Sequence, residues 1–455
     1  MIRKKKMYAP HKSPLRPPRK IVRFLTRPVT HFFVAENRRM SYNDRVCITR
    51  PSGRREVRTV EEKHAVKKDP RRRHRLSWKL ARPLARLFVW LRLGYRTKLS
   101  RIRGPFLLVC NHVTDWDPVL VGTGMLQQFY YVASEHLLRS GLGGKLVNWL
   151  QAPIPRQKGG NAAGTVMAIL RHLKAGDSVG LFPEGNRCWD GVTGDLLPSV
   201  GKLARTAGVK LVTYRLEGGY FVSPRWGGSS IRRGRMRGGV VNVYTPEALR
   251  AMTPAEITAH IEEDLHEDAY ARQRRDPARY RSRRGAEHME TLLFLCPKCG
   301  MLHSLRSRKN TVACWKCGFT FRWLPTGFLA GDGLPADNLR DWNRWQEERI
   351  ADMCANVQPD KPVFTDGDVS CGRVDFSKGV EDLGGGEMRL FSDRLELPGV
   401  TVPLDKLSGI ALRGPQDLYV SDSENTYLVR SRVVKCMVKY ISACRIFTGK
   451  KDLGL

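Results

Sequence analysis

The sequence lacks long hydrophobic runs. No stretch approaches the roughly 20 uninterrupted apolar residues that a membrane-spanning helix needs. The first residues also lack the apolar core of a secretory signal peptide. These two absences argue against a spanning or a secreted protein, and the sequence predicts a cytoplasmic one.

Acidic side chains are scarce, because 44 Asp and Glu face 79 Lys and Arg, which gives a formal charge of +35. Such a surface attracts polyanions, whether nucleic acid, an anionic bilayer or phosphorylated small molecules, and charge alone does not choose among them. Many cations lie in basic, apolar-poor runs near the start of the chain. We therefore expect residues 1–75 to be largely disordered.

The next pattern is a basic amphipathic helix between Ser77 and Arg101. Apolar residues recur there at helical spacing with arginines between them, and Pro83 interrupts the run once. Such a helix either lies in the interface of an anionic membrane or packs on the domain that follows it.

The fold class predicted for residues 76–275 is α/β. Short apolar runs such as Phe106–Cys110 alternate there with helical stretches, one of which starts at Pro118. Alternation of strands and helices is typical of a layered α/β domain.

Three further regions follow at 288–326, 327–360 and 361–450. The first is a compact cysteine unit and the second a charged helical linker. The third holds short β-type runs closed by an apolar helical stretch, which resembles a pleckstrin-homology-like small barrel. At 455 residues, several folded units are the expected organisation.

The strongest candidate for catalysis is the pair His112 and Asp117. Asp117 precedes Pro118 as an N-cap residue precedes a helix, and this predicts a turn that lets the carboxylate reach back to the imidazole. A carboxylate on one ring nitrogen leaves the other free to remove a proton from a hydroxyl. Asp115 is a competing partner, and a histidine and an aspartate at this spacing also occur by chance.

A second candidate segment runs from an apolar strand into Glu184, Gly185 and Arg187. Strand ends in an α/β sheet face the ligand crevice, so Glu184 and Arg187 are expected at the mouth of the site. The alternative is a strand-end turn with a surface ion pair. A third segment places Arg156 and Lys158 in a glycine-rich loop before a helix, which suits a phosphate or is solvated surface.

Three segments, taken in this order, resemble the phospholipid/glycerol acyltransferase family over about a quarter of the chain: Asn111 to Pro118, Ile154 to Arg156, and Phe182 to Arg187. The resemblance implies His112 as general base and Asp117 as its orienting partner. It also implies that the acceptor phosphate and glycerol are bound by Arg156, Glu184, Gly185 and Arg187.

The implied reaction moves an acyl group from acyl-CoA or acyl carrier protein to 1-acylglycerol-3-phosphate, with no acyl-enzyme and no catalytic metal. Glycerol 3-phosphate, dihydroxyacetone phosphate or an amino lipid are alternative acceptors. The nearby Cys110 and Cys188 lack a base beside them and are interpreted as bystanders. Thr213 and Arg215 stand where the family usually has a proline, which bears on specificity.

The expected partners are the lysophospholipid acceptor, the thioester donor and the anionic inner face of the membrane, on which the protein is peripheral. The rival from another class is a non-catalytic nucleic-acid-binding protein that uses the basic runs and the cysteine unit. Nucleic acid is the less favoured partner. A solvated basic loop explains Arg306, Arg308 and Lys309 more simply than phosphate contacts do.

Of eleven cysteines, four form two Cys-x-x-Cys pairs, each followed by glycine, and the others are scattered singly. This pattern predicts a zinc ribbon in a reducing compartment. With a full thiolate shell the Zn²⁺ is expected to be structural, replacing a hydrophobic core that some thirty residues are too few to build. The predicted ligands are Cys296, Cys299, Cys314 and Cys317.

Overall fold

A computed structural model describes the following residues: 48–49, 55–56, 70–134, 152–156, 162–228, 230–375, 379–414, 416–450 and 453. The chain divides into two compact units, Met1–Lys68 and Asp69–Leu455. In the first unit the described residues form one antiparallel pair of short strands, β1 (Ile48–Thr49) and β2 (Arg55–Glu56). The rest of the predicted disordered segment up to residue 69 lies outside the described residues.

A long helix, α1 (Pro70–Leu93), opens the second unit and continues through Pro83. The predicted helix bounds were wrong at both ends, and so was disorder as far as residue 75. The helix ends because Gly94 takes a positive φ of 75°, and a side chain there would collide with the carbonyl oxygen of Gly234.

The α/β region is built on one seven-stranded sheet. Its strands are β3 (Tyr95–Thr97), β4 (Phe106–Cys110), β5 (Tyr130–Ser134), β6 (Ile154–Arg156), β7 (Val179–Leu181), β8 (Lys210–Glu217) and β9 (Met236–Tyr244). The order across the sheet is β3-β9-β8-β4-β7-β5-β6. Strands β8, β4, β7, β5 and β6 are parallel to one another. Strand β9 runs antiparallel to β8, and β3 pairs with β9 in parallel, so both run opposite to the other five. The carboxyl ends of the parallel strands therefore meet at one edge, where α/β sheets bind ligands.

The described helices that accompany this sheet are short. They are α2 (Asp117–Gly124), α3 (Ala162–Lys174), α4 (Val200–Ala207), α5 (Gly219–Val222), α6 (Pro246–Ala251), α7 (Pro254–Leu265) and α8 (Ala269–Arg275). Helix α7 begins with proline after a capping box formed by Thr253 and Glu256. Local sequence signals thus explain where this helix begins.

The central strand β4 shows why its apolar run is continuous. All five of its side chains are buried, and they alternate between two core clusters. Phe106, Leu108 and Cys110 pack on one side of the sheet, while Leu107 and Val109 pack on the other. A parallel strand covered on both faces reads as an unbroken hydrophobic run.

The cysteine unit contains a small antiparallel sheet in chain order: β10 (Leu305–Arg308), β11 (Thr311–Cys314), β12 (Thr320–Trp323) and β13 (Leu329–Ala330). Its Phe321 and Trp323 belong to the same core cluster as Trp226 of the α/β region. The guanidinium of Arg232 lies 4.7 Å from the Trp226 ring and 5.4 Å from the Trp323 ring. The unit therefore shares the core of its neighbour, and the expected structural role of a metal stays a prediction.

The C-terminal region is β-rich and follows the helix α9 (Leu339–Ala355). Its strands are β14 (Phe364–Asp375), β15 (Gly379–Leu390), β16 (Arg394–Leu397), β17 (Val400–Pro403), β18 (Gly409–Arg413), β19 (Asp417–Ser421) and β20 (Thr426–Ser431). They form one antiparallel sheet in the order β17-β16-β15-β14-β20-β19-β18, and helix α10 (Val438–Thr448) follows. Its pleckstrin-homology-like character stays a prediction.

Strand β14 and most of β15 were missed by the sequence patterns. Both strands are polar and glycine-containing, so they lack the alternation that identifies a half-buried strand. They form because they pair with each other over most of their length. Among the described residues, every helix is too short or too polar to span a bilayer.

Candidate active site

His112 lies in the loop between β4 and α2, at the carboxyl edge of the sheet, with a side chain that is 22% exposed. Its Nδ1 lies 2.8 Å from Oδ2 of Asp117, and its ring stacks on Phe182 with the centroids 4.5 Å apart. Its Nε2 has no hydrogen-bond partner within the described part of the chain. This is the arrangement of a general base that a carboxylate orients.

The Asp117 carboxylate is fully buried and organises the whole loop. It accepts hydrogen bonds from the backbone N–H of Val113 at 2.6 Å and of Thr114 at 2.9 Å, and from the Thr114 hydroxyl at 2.6 Å. The expected N-cap role of Asp117 was wrong, since α2 begins at Asp117 itself and Trp116 holds the cap position. The carboxylate turns back and satisfies amides of the loop instead of amides of the helix.

Asp115, the competing partner for His112, points elsewhere. Its side chain is 75% exposed, and its Oδ2 lies 3.2 Å from Nη1 of Arg187. The Arg187 side chain is itself mostly buried. The structure therefore brings Arg187 next to the loop of His112 through Asp115.

Glu184 braces the backbone of His112. Its Oε1 accepts from the N–H of His112 at 2.5 Å, and its Oε2 accepts from the N–H of Gly194 at 2.8 Å. Burial raises the pKa of Glu184 to about 8, although both backbone amides act in the opposite direction. The expected place of Glu184 at the mouth of the site was wrong, because its side chain is 3% exposed.

The turn after β7 is joined to the His112 loop at a second point. The N–H of Cys188 donates to the carbonyl oxygen of His112 at 2.8 Å. Gly185 takes a positive φ of 70°, and its N–H donates to the carbonyl oxygen of Phe182 at 3.1 Å. A glycine suits this turn because a side chain would strain the left-handed backbone.

Arg156 ends β6 at the same carboxyl edge of the sheet. Its backbone is in register with Ser134 of β5. The Arg156 side chain and the glycine-rich loop that contains Lys158 lie outside the described residues. A phosphate contact from Arg156 stays a prediction.

Comparison with known proteins identifies part of the chain. Residues 92–217 match the protein-family model described as Acyltransferase. This segment resembles an acyltransferase domain. It contains every predicted site residue apart from the four metal-ligand cysteines, and the family resemblance is confirmed at this level.

Two further comparisons concern whole proteins. No curated protein matches the chain significantly. A solved structure to which the chain is similar is the 1-acyl-sn-glycerophosphate (LPA) acyltransferase PlsC from Thermotoga maritima. The sequence identity is 20%, the match covers 44% of this chain and 81% of that chain, and the TM-score is 0.37.

Thr213 and Arg215, which stand where the resemblance implies a proline, anchor a helix of the α/β region. The Thr213 hydroxyl donates to Oδ2 of Asp264 at 2.8 Å, and Nη1 of Arg215 donates to the Asp264 carbonyl oxygen at 3.3 Å. Asn242 and Tyr244 also donate to the same carboxylate. The departure from the family pattern thus joins β8 and β9 to the end of α7.

Sequence reasoning missed three contributors to the site: Thr114, Phe182 and Gly194. A signal for Thr114 existed, since a hydroxyl three positions before an aspartate commonly bonds it locally. No signal pointed to Gly194, which meets Glu184 through its backbone. The sequence places Phe182 in a motif, but it does not predict that the Phe182 ring stacks on the imidazole of His112.

Two cysteines lie close to His112. Cys110 precedes it by two residues, and the backbone N–H of Cys188 donates to its carbonyl oxygen. Burial raises the pKa of Cys110 and of Cys188 well above the usual value for a thiol. Both thiols are buried, and a raised pKa makes a thiol a poor nucleophile, which agrees with their interpretation as bystanders.

The four cysteines of the two Cys-x-x-Cys pairs come together. Their sulfur atoms all lie within 4.8 Å of one another, with 3.7 Å between Cys296 and Cys317 and 3.8 Å between Cys299 and Cys314. A tetrahedron with Zn–S bonds of about 2.3 Å has edges of about 3.8 Å, so the cluster fits a zinc ion. No disulfide joins cysteines among the described residues. Four close thiols are able to hold a metal ion, and zinc as that ion is a proposal.

Proposed function

We propose that this protein transfers a fatty acyl group from acyl-CoA or acyl carrier protein to the hydroxyl of 1-acylglycerol-3-phosphate. The observation that carries the proposal is the imidazole of His112, held at Nδ1 by Asp117 and open at Nε2 at the carboxyl edge of the sheet. The acyltransferase domain supports the reaction class.

In the proposed reaction, Nε2 of His112 removes the proton of the acceptor hydroxyl while its oxygen attacks the thioester carbonyl carbon. A carbon–oxygen bond forms, the carbon–sulfur bond breaks, and His112 returns the proton to the departing thiolate. Asp117 stabilises the transient imidazolium because its carboxylate lies against Nδ1. Neither Cys110 nor Cys188 is needed to carry the acyl group.

Two arginines support an acceptor that bears a phosphate. Arg156 ends β6 at the same edge of the sheet as His112. Arg187 pairs with the exposed Asp115, and an ion pair open to water on one side contributes little stability. A phosphate can therefore replace Asp115 at small cost, and guanidinium groups match phosphate oxygens.

Helix α1 has one side that packs on the domain and an opposite side that is apolar and exposed, and this exposed side supports a membrane location. The side that packs on the domain includes His74, Val89 and Leu93. The opposite side is apolar and exposed, with large side chains 41–71% accessible: Leu76, Leu80, Leu84, Leu87, Phe88, Trp90 and Leu91. Exposed apolar stripes of this size mark contact with a membrane or a partner.

One residue of the exposed stripe, Phe88, packs beside the loop that contains His112. The ring of Phe88 lies 5.4 Å from the ring of Trp116, which is the residue before Asp117. Arg82 and Arg86 of α1 donate to backbone carbonyls of the domain, as the packing alternative predicts for this helix. An acceptor lipid that lies along Phe88 would present its headgroup to the loop of His112.

We also propose the location and modules predicted from the sequence. The protein acts peripherally on the inner face of an anionic membrane. A structural zinc ion binds the four cysteines, which are arranged to receive it. The C-terminal sheet and helix form a pleckstrin-homology-like domain that adds a further membrane or protein contact.

A histidine substitution tests the function. We expect His112→Ala to lower acyl transfer from acyl-CoA to 1-acylglycerol-3-phosphate by about 10²–10⁴-fold, because the general base is lost. The chain offers a matched control in His172, whose Nδ1 lies 3.1 Å from Asp177, also five positions along the chain. His172→Ala should retain the activity.

The measurement is a steady-state rate with purified protein, with circular dichroism to show that each variant is folded. Full activity in folded His112→Ala would overturn the proposed base. So would an equal loss in folded His172→Ala.

A further inference from the structure

A cavity of about 460 Å³ lies where β9 begins. We call it the arginine pocket, because six arginines from three segments line it: Arg96, Arg233, Arg235, Arg237, Arg279 and Arg281. Trp90 at the end of α1 also lines it. A second, smaller cavity is lined by residues that include His112, Glu184 and Gly219, and it shares no lining residue with the arginine pocket, which is therefore a separate site.

Most of the positive charge in the arginine pocket has no acidic partner. Asp276 is the carboxylate that pairs with it, 2.6 Å from Arg235 and 4.0 Å from Arg237. Within the described part of the chain, no ion pair is made by the other four: Arg96, Arg233, Arg279 and Arg281. Like charges held this close repel one another, so the pocket favours a bound anion.

The backbone holds several of these arginines in place. Nε of Arg233 donates to the carbonyl oxygen of Leu91 at 2.9 Å, and Nη2 of Arg235 donates to that of Asp276 at 2.7 Å. The backbones of Arg233 and Arg281 form an antiparallel bridge, in which the N–H of Arg281 donates to the carbonyl oxygen of Arg233 at 3.1 Å. Backbone carbonyls thus hold the guanidinium groups of Arg233 and Arg235, and the bridge brings the backbone of Arg281 beside that of Arg233.

Two glycines allow the walls of the pocket to come together. A Cβ on Gly94 would lie 1.8 Å from the carbonyl oxygen of Gly234, and a Cβ on Gly234 would lie 2.1 Å from the ring of Tyr280. Since Cβ atoms never approach so closely, only glycine permits this contact between α1 and the start of β9. The contact sets the arginines beside the end of α1.

The pocket therefore adjoins the exposed apolar stripe of α1. Trp90 lines the pocket and is exposed, and Leu91 belongs to the stripe while its carbonyl oxygen binds Arg233. Tryptophan is favoured at the boundary between a bilayer and water. A cationic pocket at the end of an apolar stripe matches an amphiphile with an anionic head, and it does not match a nucleic acid, which has no apolar tail.

We propose that the arginine pocket binds the phosphate headgroup of an anionic phospholipid while α1 rests on the bilayer. A phosphate monoester fits best, because its three terminal oxygens can meet several guanidinium groups at once. The inference rests on the membrane association proposed above, but it does not depend on acyl transfer.

Vesicle co-sedimentation of the full chain tests the pocket. Three vesicles are compared: phosphatidylcholine alone, and phosphatidylcholine with either phosphatidic acid or phosphatidylglycerol at equal measured surface charge. We expect tighter binding to phosphatidic acid, which is a monoester, than to phosphatidylglycerol, which is a diester. The double variant Arg279→Gln/Arg281→Gln should bind the phosphatidic acid vesicles about tenfold or more weakly and lose the preference.

The control double variant is Lys202→Gln/Arg205→Gln, which removes the same charge from exposed positions of α4, a helix of the core cluster on the other face of the sheet. It should change vesicle binding by less than about twofold, since a distant charge is screened. Folded His112→Ala should keep the preference for phosphatidic acid, so failure of the catalytic proposal is seen separately.

Equal binding to both anionic vesicles by the unsubstituted protein would mean diffuse attraction only and would overturn the pocket. An equal loss of binding in the two double variants would do the same. Binding of single-stranded RNA that exceeds binding to phosphatidic acid vesicles, and that Arg279→Gln/Arg281→Gln abolishes, would replace the lipid with a nucleic acid.

Discussion

At the scale of single residues, two buried carboxyl groups have different tasks around His112. Asp117 contacts the imidazole itself and the loop amides beside it. Glu184 contacts no ring atom of His112 but accepts from its backbone N–H. The first group therefore orients the proposed base directly, whereas the second is a positioning residue that acts through the backbone.

We predict that Glu184→Gln destabilises the protein by about 1–3 kcal/mol and lowers turnover. The amide side chain accepts at only one end, so the N–H of His112 or of Gly194 loses its acceptor. Denaturant unfolding and acyl-transfer rates measure both effects. Glu247→Gln, at an exposed helix position, serves as the control and should change neither. If Glu184→Gln were as stable as the unsubstituted protein, the two backbone hydrogen bonds of Glu184 would not stabilise the fold.

The same variant has a pH signature. Because burial raises the pKa of Glu184 from 4.5 to about 8, this group takes up a proton on folding between those values. Its contribution makes the free energy of unfolding fall as pH rises from about 4.5 to about 8. The fall should be smaller in Glu184→Gln, as urea unfolding at a series of pH values would measure. Parallel curves for the two proteins would contradict the raised pKa.

At the scale of elements, α1 shows how one helix satisfies two surfaces. Arg82 and Arg86 lie on the side that contacts the domain and bind its carbonyl groups. Residues about half a turn away, such as Leu84 and Leu87, face outward and have nothing described packed over them. The two readings of this helix from the sequence, membrane contact and domain packing, are thus compatible.

We predict that Leu84→Ser/Leu87→Ser weakens binding to every vesicle by about tenfold or more, because exposed apolar area no longer enters the bilayer. The unfolding midpoint should stay unchanged, since both side chains are already exposed. Flotation assays and thermal unfolding measure these quantities. The matched control is Met167→Ser/Val433→Ser, which removes two exposed apolar side chains elsewhere. Equal effects of the two double variants would remove the assigned role of the stripe.

At the scale of the whole molecule, neighbouring regions are joined by shared cores. Trp226 and Trp323 enclose Arg232 between the α/β region and the cysteine unit. Arg225 donates from one nitrogen to the carbonyl oxygen of Arg187 and from another to that of Leu412 in the C-terminal sheet. Burial lowers the pKa of Arg225 to about 9. The turn that follows Glu184 is therefore tied to the C-terminal region.

We predict that the purified protein holds about one zinc ion per chain and that Cys299→Ser loses it. Because the cysteine unit shares its core with the α/β region, metal loss should lower the unfolding midpoint of the whole second unit and not of a separate module. Metal analysis and calorimetry measure these outcomes. Cys371→Ala, a buried cysteine of the C-terminal sheet, should keep its zinc. If the unsubstituted protein, purified in reduced form, contained no zinc, the assignment of the four cysteines as a zinc site would be wrong.

The sequence by itself determined the features that depend on near neighbours in the chain. The Cys-x-x-Cys pairs and the loop from His112 to Asp117 are short, so their residue types and spacing already restrict what they form. The order of the acyltransferase motifs also needs no structure. The predicted N-cap failed even at this range, because the loop amides of Val113 and Thr114 competed for the Asp117 carboxylate.

Only the tertiary structure decided which distant segments meet. It placed Glu184 under the backbone of His112, gathered six arginines from three segments, and joined the cysteine unit to the core of the α/β region. The physical reason is that such contacts depend on which apolar faces bury each other. Polar and charged groups then take the partners that burial leaves within reach.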